Sequence, residues 1–261
     1  MTLTARTPLE AARIALACLD LTSLNDDDTD ADVIGLCERA GGPHGAVAAV
    51  CVWPRFARLA RERASAVVKV AAVANFPDGS TDLARTLRDV DTIVQAGAQE
   101  VDVVLPWRAL LAGNSAACTA LLRAARRACE GLTLKVILET GELRDAAAIE
   151  RAARLALTEG ADFLKTSTGK TPLSATPEAA GVMLRTIAAD AQARERAGFK
   201  ASGGIRTVSA AMPYLDAVEQ VLGASALSPA RFRIGASSLL ADIEAVLAGA
   251  APATPASKDR Y

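Results

Sequence analysis

Two lysines and an aspartate stand in stretches that otherwise have the composition of buried strands. Lys165 occurs in DFLKTS, Lys200 in GFKASGG and Asp102 in EVDVVL. A lysine amine attacks a carbonyl only when unprotonated, yet a free lysine is almost wholly ammonium at neutral pH. Burial and a neighbouring cation lower the pKa of such an amine to about 7 or 8. The pair predicts imine chemistry with Lys165 as nucleophile and Lys200 as its cationic neighbour, although sequence alone permits the reverse assignment.

Two further charges, Lys135 and Glu139, occur in the apolar stretch TLKVILET. Strands of a parallel sheet are buried on both faces and are normally continuous apolar runs, so charges within them require an explanation. One explanation is a buried ion-pair network with a purely structural role. The other is catalysis, because we place all of these charges toward the carboxyl ends of their strands, where α/β barrels carry their active sites.

The stretch KTSTGKT at 165–171 contains GKT, but the glycine that begins a nucleotide-binding P-loop is replaced by Leu164. A nucleotide site is therefore not predicted. What remains is a hydroxyl-rich turn with Gly169 and Lys170, which suits a sugar phosphate. An ordinary polar loop is the alternative.

Two later loops, ASGGIRT and IGASSLL, are better suited to an anion. Gly203 and Gly204 allow close approach of the backbone, and Ser237 and Ser238 stand where a helix begins with free N–H groups. Barrels that bind phosphate commonly use the loops after strands seven and eight. The alternative is that the serines only cap a helix and the glycines only turn the chain.

Eight apolar runs must position these residues. They are a short strand near 19–22 followed by AVAAVCV, VVKVAAVANF, EVDVVL, TLKVILET, DFLKTS, GFKASGG and RFRIGAS, and segments of helical period lie between them. This alternation predicts an α/β fold, a single (β/α)8 TIM barrel. In QAGAQEVDVV and TEGADFLKTS, a glycine suited to a helix C-cap precedes the strand, which places Asp102 and Lys165 at similar heights.

The composition limits the possible partners. Half of the 261 residues are hydrophobic (51%) but only 3% are aromatic, and 29 Lys and Arg nearly balance 30 Asp and Glu. We therefore expect small-molecule partners, with no nucleic acid and no membrane, and we allow for a homodimer. Five scattered cysteines without a CxxC pair, and an N-terminus without an export signal, predict a cytoplasmic protein.

No cofactor is predicted. A metal-dependent aldolase needs several histidines, and the chain has one, His44, which we interpret as an exposed loop residue. No GxGxxG motif follows a strand, so a dinucleotide site has no support. The acidic run at 25–32 lacks EF-hand spacing and is interpreted as the cap of a helix.

The chain resembles the deoxyribose-phosphate aldolases from about Leu16 to its end. The matching segments are LDLTSLNDDDTD, VCVWPRF, VANFPDGS, EVDVVLPWRALLAGN, LKVILETGEL, GADFLKTSTGK, ATPEAA, GFKASGGIRT and RFRIGASSLL. The resemblance implies that Lys165 forms the imine, Lys200 perturbs it and Asp102 assists proton transfer. It also implies substrate-pocket roles for Asp20, Thr22 and Cys51, and phosphate contacts from Gly169, Lys170, Gly203, Gly204, Gly235, Ser237 and Ser238.

The implied reaction is the reversible cleavage of 2-deoxy-D-ribose 5-phosphate into acetaldehyde and D-glyceraldehyde 3-phosphate through a lysine Schiff base. Two alternatives stay open. One is another phosphosugar barrel enzyme, either an aldolase with a different substrate or an isomerase that uses Glu139 as its base. The other is a noncatalytic sugar-phosphate sensor, because fold alone does not establish activity.

We divide the chain into a barrel, residues 1–250, and a flexible tail, residues 251–261, whose composition lacks the apolar residues needed to dock as a packed element. Tyr261 ends the chain and is one of only two tyrosines. The resembling family also ends in tyrosine, which implies a catalytic use for this phenol in protonating the enamine carbon. A solvated tail is the alternative.

Overall fold

Eight parallel strands close into a barrel in the computed structural model, which describes residues 6–251 and 253. Each strand pairs with its neighbours in sequence, and the last pairs with the first. The predicted (β/α)8 architecture is confirmed. The strands are β1 Leu19–Thr22, β2 Ala49–Val52, β3 Lys69–Ala74, β4 Glu100–Val104, β5 Thr133–Ile137, β6 Phe163–Lys165, β7 Gly198–Ser202 and β8 Phe232–Ala236.

Helices surround the barrel and bury their apolar faces against it. Single-turn 3-10 helices cover Pro54–Phe56 and Ala224–Ala226, and His44 is exposed in the turn of a two-residue ribbon, as expected. The helices are α1 Pro8–Ala17, α2 Asp30–Arg39, α3 Ala57–Arg63, α4 Leu83–Gln95, α5 Trp107–Leu111, α6 Ser115–Ala128, α7 Thr140–Leu143, α8 Ala146–Thr158, α9 Pro177–Ala189, α10 Val208–Leu222 and α11 Leu239–Leu247.

The two glycines predicted to end helices do so. Gly97 follows α4 with φ +74° and Gly160 follows α8 with φ +88°, a left-handed conformation that glycine adopts without steric cost. β4 and β6 begin three residues after these glycines. The matching turns give Asp102 and Lys165 comparable heights inside the barrel.

The expectation that every in-strand charge lies toward a carboxyl end was wrong for most of them. Only Lys165 is the last residue of its strand. Asp102, Lys135 and Lys200 are each the third of five, and Glu139 lies beyond the end of β5. The physical reason is that charged side chains, rather than apolar ones, fill the middle of this barrel, and they stabilise one another there.

The acidic run has the structural role that we predicted. Thr29 caps α2 by accepting from the backbone of Asp32, whose side chain accepts from Thr29 in return. Among the described residues, no group of three or more potential ligands could hold a metal ion, and no helix is long and apolar enough to cross a membrane. All five cysteines are free and buried. The tail beyond Ala253, with Tyr261, lies outside the described residues.

Candidate active site

Asp102 is the centre of the charged interior. Its Oδ2 atom accepts from Lys165 Nζ at 2.8 Å and from Lys200 Nζ at 2.8 Å, and its Oδ1 atom accepts from Lys135 Nζ at 2.7 Å. The strand register makes this possible, because Asp102 lies beside Lys135 on β4 and β5 while Lys165 lies beside Lys200 on β6 and β7. Three of the four residues predicted to be catalytic therefore meet here, with both lysines bound to Asp102, and the fourth, Tyr261, lies outside the described residues.

A second group of charges lies deeper in the barrel. Arg233 donates to Asp20 at 2.6 Å and to Glu100 at 2.7 Å, and all three side chains are buried. Asp20 also accepts from Lys200 at 2.5 Å, and Glu100 lies 2.5 Å from Lys135 Nζ. The network is continuous from Lys165 to the lower end of the barrel.

Sequence reasoning missed Glu100 and Arg233. A signal was present, because Glu100 lies two residues before Asp102, and positions of equal parity in a strand face the same side. Arg233 is likewise enclosed by the apolar residues of RFRIGA. A charge at an inward position of a buried strand predicts a partner across the barrel.

The predicted ion-pair network is present, and contact geometry separates its lysines. Within the described part of the chain, Lys135 contacts three carboxylates and Lys200 two, whereas the one carboxylate in contact with Lys165 is that of Asp102. Burial and the charge of Lys200 lower the pKa of Lys165 and outweigh the attraction of Asp102. The carboxylates outweigh burial at Lys200 and raise its pKa.

The carboxylates balance most of the buried positive charge. Burial by itself would raise the pKa of Asp102, but the three lysines around it hold that pKa well below its ordinary range. Asp20 behaves in the same way beside Lys200 and Arg233, so its pKa is also lowered. Both groups are therefore ionised at neutral pH.

The residues implied as substrate contacts lie in three different places. Thr22, at the end of β1, lines the cavity at the barrel mouth. Cys51 is buried with its Sγ atom 4.0 Å from Asp102 Oδ2, and burial raises its pKa. Asp20 is fully buried under Lys200 and is bound by Lys200 and Arg233.

A cavity of about 310 Å³ opens at the carboxyl ends of the strands. All seven residues predicted to contact phosphate line it, namely Gly169, Lys170, Gly203, Gly204, Gly235, Ser237 and Ser238. Arg206 also lines it and was not predicted. The cavity thus has two flexible cations, several glycine backbones and two exposed serines, a set that suits an anion.

Glycine is required at two positions of this cavity. A Cβ atom on Gly235 would lie 2.6 Å from Ser202 Oγ and 3.0 Å from Lys200 Cε, and one on Gly203 would lie 2.5 Å from Ser174 Cβ. Gly203 also has φ +91°. The cavity therefore depends on the absence of side chains at the points where its loops meet.

Ser238 occupies the N-cap position of α11, but its side chain makes no capping hydrogen bond. Ser238 is exposed and lines the cavity together with Ser237, immediately before the first residue of α11. The simple capping alternative therefore does not describe this serine, and the positive end of the helix dipole adds to the attraction for an anion.

Comparison with known proteins agrees with this architecture. The family model described as DeoC/LacD family aldolase matches residues 14–245. The chain belongs to this family. As a family member it is 44% identical to the deoxyribose-phosphate aldolase of Agrobacterium fabrum strain C58 over 260 residues, which cover 98% of this chain and 99% of that one.

Solved structures place this DeoC/LacD family aldolase among similar barrels. An aldolase designated QR15 has a TM-score of 0.77 at 28% identity, covering 90% of this chain and 96% of its own. The deoxyribose phosphate aldolase of Aeropyrum pernix, described as tetrameric, has a TM-score of 0.67 at 26% identity, covering 92% of each chain.

Proposed function

We propose that the protein cleaves 2-deoxy-D-ribose 5-phosphate reversibly into acetaldehyde and D-glyceraldehyde 3-phosphate through an imine on Lys165. One observation carries this proposal: Lys165 is buried and shares Asp102 Oδ2 with Lys200, and the pKa of Lys165 is lowered while that of Lys200 is raised. The anion cavity at the carboxyl ends of the strands has the right chemistry for the phosphate of such a substrate, and the relative from A. fabrum is a deoxyribose-phosphate aldolase.

The reaction begins when the neutral amine of Lys165 adds to the C1 aldehyde of the open-chain sugar. Loss of water from the carbinolamine gives a protonated imine. When the C2–C3 bond breaks, its electron pair moves to C2 and is delocalised into the imine as an enamine, while the C3 hydroxyl gives its proton through a water to Asp102 and becomes an aldehyde. The imine is the electron sink, so these steps use no metal ion or organic cofactor.

Asp102 and Lys200 are suited to moving the protons. Asp102 already contacts both amines through one oxygen, so it can accept a proton as the carbinolamine forms and return it as water leaves. Lys200 keeps its charge throughout, because two carboxylates stabilise it. In the proposal, protonation of the enamine carbon by the Tyr261 phenol then releases acetaldehyde after hydrolysis of the imine.

Binding energy comes from the other end of the substrate. The phosphate lies among the loops after β6, β7 and β8 in the proposal, several bonds from the carbons that react. Binding energy from this remote phosphate holds C1 near Lys165 and so raises the rate at which the bound substrate reacts. An unphosphorylated sugar loses this contribution and should react poorly.

The isomerase alternative is disfavoured by the position of its supposed base. Glu139 is fully buried, and its carboxylate accepts from Thr168 and Thr171. A carboxylate occupied in this way is poorly placed to remove a proton from a substrate carbon. An assay for acetaldehyde release separates an aldolase from an isomerase, and turnover of either kind excludes a sensor.

Trapping tests the proposal directly. The protein is incubated with acetaldehyde and reduced with borohydride, and its peptides are mapped by mass spectrometry. An ethyl group on Lys165 is the expected result. Label on Lys200 or Lys135 instead would overturn the assignment, and no labelled lysine together with no acetaldehyde release from the sugar phosphate would overturn the function.

The proposal extends to assembly and location. A homodimer is the assembly that we propose, to be measured by light scattering of the purified protein. A cytoplasmic location is supported by the five free cysteines, since reduced thiols persist where disulfides do not form.

A further inference from the structure

Glu139 has an unusual backbone and an unusual environment. It follows β5 in the left-handed region, with φ 58° and ψ 60°, a conformation that is strained for a residue with a Cβ. Its side chain is fully buried. Among the described residues, no lysine, arginine or histidine nitrogen lies within salt-bridge distance of its carboxylate. The chemistry proposed above does not use this group.

The partners of the Glu139 carboxylate all belong to one loop. Oε2 accepts from the Thr168 hydroxyl at 2.6 Å, and Oε1 accepts from the Thr168 backbone N–H at 3.2 Å. The Thr171 hydroxyl lies 3.3 Å from Oε1 and 3.1 Å from the backbone oxygen of Leu173, so its one hydrogen is shared between these two acceptors. These residues flank Gly169 and Lys170, both exposed and both lining the anion cavity. Glu139 therefore holds the loop from behind, at each end of the part that faces the cavity.

Thr168 connects Glu139 to a residue that lines the cavity. The Thr168 hydroxyl donates to Glu139 and at the same time accepts from the backbone N–H of Lys170 at 3.0 Å. A hydroxyl has one hydrogen, so a carboxylate acceptor on one side leaves its lone pairs free for the Lys170 N–H on the other. Gly169, between them, has φ +80°.

A close approach further along the same loop supports this arrangement. A Cβ atom on Gly141, in α7, would lie 1.9 Å from the backbone oxygen of Leu173. Ser174, the next residue, packs so closely on Gly203 that a Cβ there would lie 2.5 Å from Ser174 Cβ. The segment from Glu139 to Gly141 is thus in contact with the 168–174 loop, and that loop contacts the glycine turn after β7.

From these contacts we propose that Glu139 is a positioning residue, whose carboxylate orients Thr168 and Thr171 so that Gly169 and Lys170 receive a phosphate group. The proposal deepens the function proposed above and rests on it. It also explains why the chain has a strained, buried acid at this point, because a side chain that accepts from two hydroxyls and one N–H must have two acceptor atoms.

Glutamine is the sharpest replacement. Its amide has one acceptor oxygen where glutamate has two, so the NH2 group faces either the Thr168 N–H, whose hydrogen bond is lost, or the Thr168 hydroxyl, whose hydrogen bond must reverse, while the size of the side chain is unchanged. Glu142→Gln is the matched control, because it also removes one negative charge and lies in α7, the short helix that begins directly after Glu139. Thr168→Val removes the other partner of the strongest contact without adding or removing charge.

The measurement compares phosphorylated with unphosphorylated sugar. For Glu139→Gln we expect KM for 2-deoxyribose 5-phosphate and the inhibition constant of inorganic phosphate to rise together, by about tenfold, with kcat within about threefold. We expect kcat/KM for plain 2-deoxyribose to change by less than about twofold. Glu142→Gln should match the wild type in all of these quantities.

A double-mutant cycle then tests the shared contact. If Glu139 acts through Thr168, the combined effect of Glu139→Gln and Thr168→Val on phosphate inhibition is smaller than the product of the single effects. Equal losses on both sugars, or unchanged phosphate inhibition, would overturn the proposal. If Glu139→Gln does not fold, Thr168→Val alone gives the same test.

The two proposals fail in different ways. If the wild type releases acetaldehyde from neither sugar, the aldolase function is wrong. Binding of inorganic phosphate, measured by calorimetry on the wild type and Glu139→Gln, still tests the role of Glu139 in that case. An unchanged affinity would refute the positioning role, and a weakened one would support it.

Discussion

Lys165 and Lys200 point their amines at the same carboxylate oxygen of Asp102, each at a distance of 2.8 Å. Two cations that share one acceptor atom disfavour each other's charge. Lys200 has a second carboxylate, Asp20, at 2.5 Å, and Lys165 contacts no other carboxylate among the described residues. The asymmetry determines which of the two amines gives up its proton.

Replacing Lys200 with Leu should strongly reduce activity at neutral pH. The change removes a positive charge that lowers the pKa of Lys165, so this pKa rises and the neutral amine becomes scarce. We therefore expect kcat/KM to fall roughly 100-fold at pH 7 and the acid limb of its pH profile to move upward. Lys69→Leu, at the opposite end of the barrel, is the control. Near-wild-type turnover of Lys200→Leu would refute the role.

Replacing Asp102 with Asn should change the pKa of Lys165 in the opposite direction. Asp102 raises the pKa of Lys165, so its loss lowers that pKa further. We expect borohydride trapping of acetaldehyde on Lys165 to extend to lower pH, while turnover of the sugar phosphate falls by about 10²–10⁴-fold because proton transfer is lost. The measurement compares the pH dependence of trapping on Lys165 with the turnover of the sugar phosphate. A parallel loss of both would assign Asp102 a structural role only.

Replacing Ser238 with Asp should weaken binding of the phosphorylated sugar selectively. The new carboxylate would face the phosphate dianion at the mouth of the cavity, where like charges repel. We expect KM for 2-deoxyribose 5-phosphate to rise by at least about tenfold and that for plain 2-deoxyribose to change little. Ser238→Asn is the neutral control of the same shape. Equal effects on both sugars would show that the phosphate binds elsewhere.

Replacing Arg233 with Met should reduce stability. The buried carboxylates of Asp20 and Glu100 would lose a shared partner, which costs about 3–5 kcal/mol. The midpoint temperature of thermal unfolding should fall by roughly 2–4 °C for each kcal/mol of lost stability. Arg154→Met, which breaks an exposed pair with Glu150, should cost less than about 1 kcal/mol. Similar shifts in both variants would contradict the prediction.

The pH dependence of the stability of Arg233→Met is a second test of this role. Arg233 and the neighbouring lysines hold the pKa of Asp20 and of Glu100 below the ordinary values, even though burial acts the other way. Carboxylates with a depressed pKa add stability above their unfolded pKa of about 4, and this stability is lost as the pH falls through the folded values. Arg233→Met should therefore unfold at a higher pH on acid titration than the wild type.

Replacing Tyr261 with Phe should slow turnover while leaving thermal stability unchanged. Tyr261 lies eight positions after Ala253, and eight residues can span about 26–29 Å when extended. We expect turnover and proton exchange at the acetaldehyde methyl group to fall about 10–100-fold. Tyr214→Phe, in the only other tyrosine of the chain, is the control. Full turnover of the Tyr261 variant would leave the tail without a catalytic role.

The amino-acid sequence by itself determined the eight alternating units, the lysines and aspartate of the interior, and the loops that form the cavity. These features are local. Apolar periods of two and of 3.6 residues mark strands and helices, and Gly97 and Gly160 mark helix ends that are followed by strands in the same way. A charge inside an apolar strand is visible without knowledge of what it contacts.

Only the tertiary structure decided which charges meet and what each one does. Glu100 and Arg233 become partners because β4 and β8 face each other across the closed barrel, and no spacing along the chain encodes that contact. The turn of Glu139 toward Thr168 depends on a left-handed backbone that its residue type does not favour. The lowered pKa of Lys165 likewise arises from burial and from unequal numbers of carboxylates, which exist only once the strands have closed.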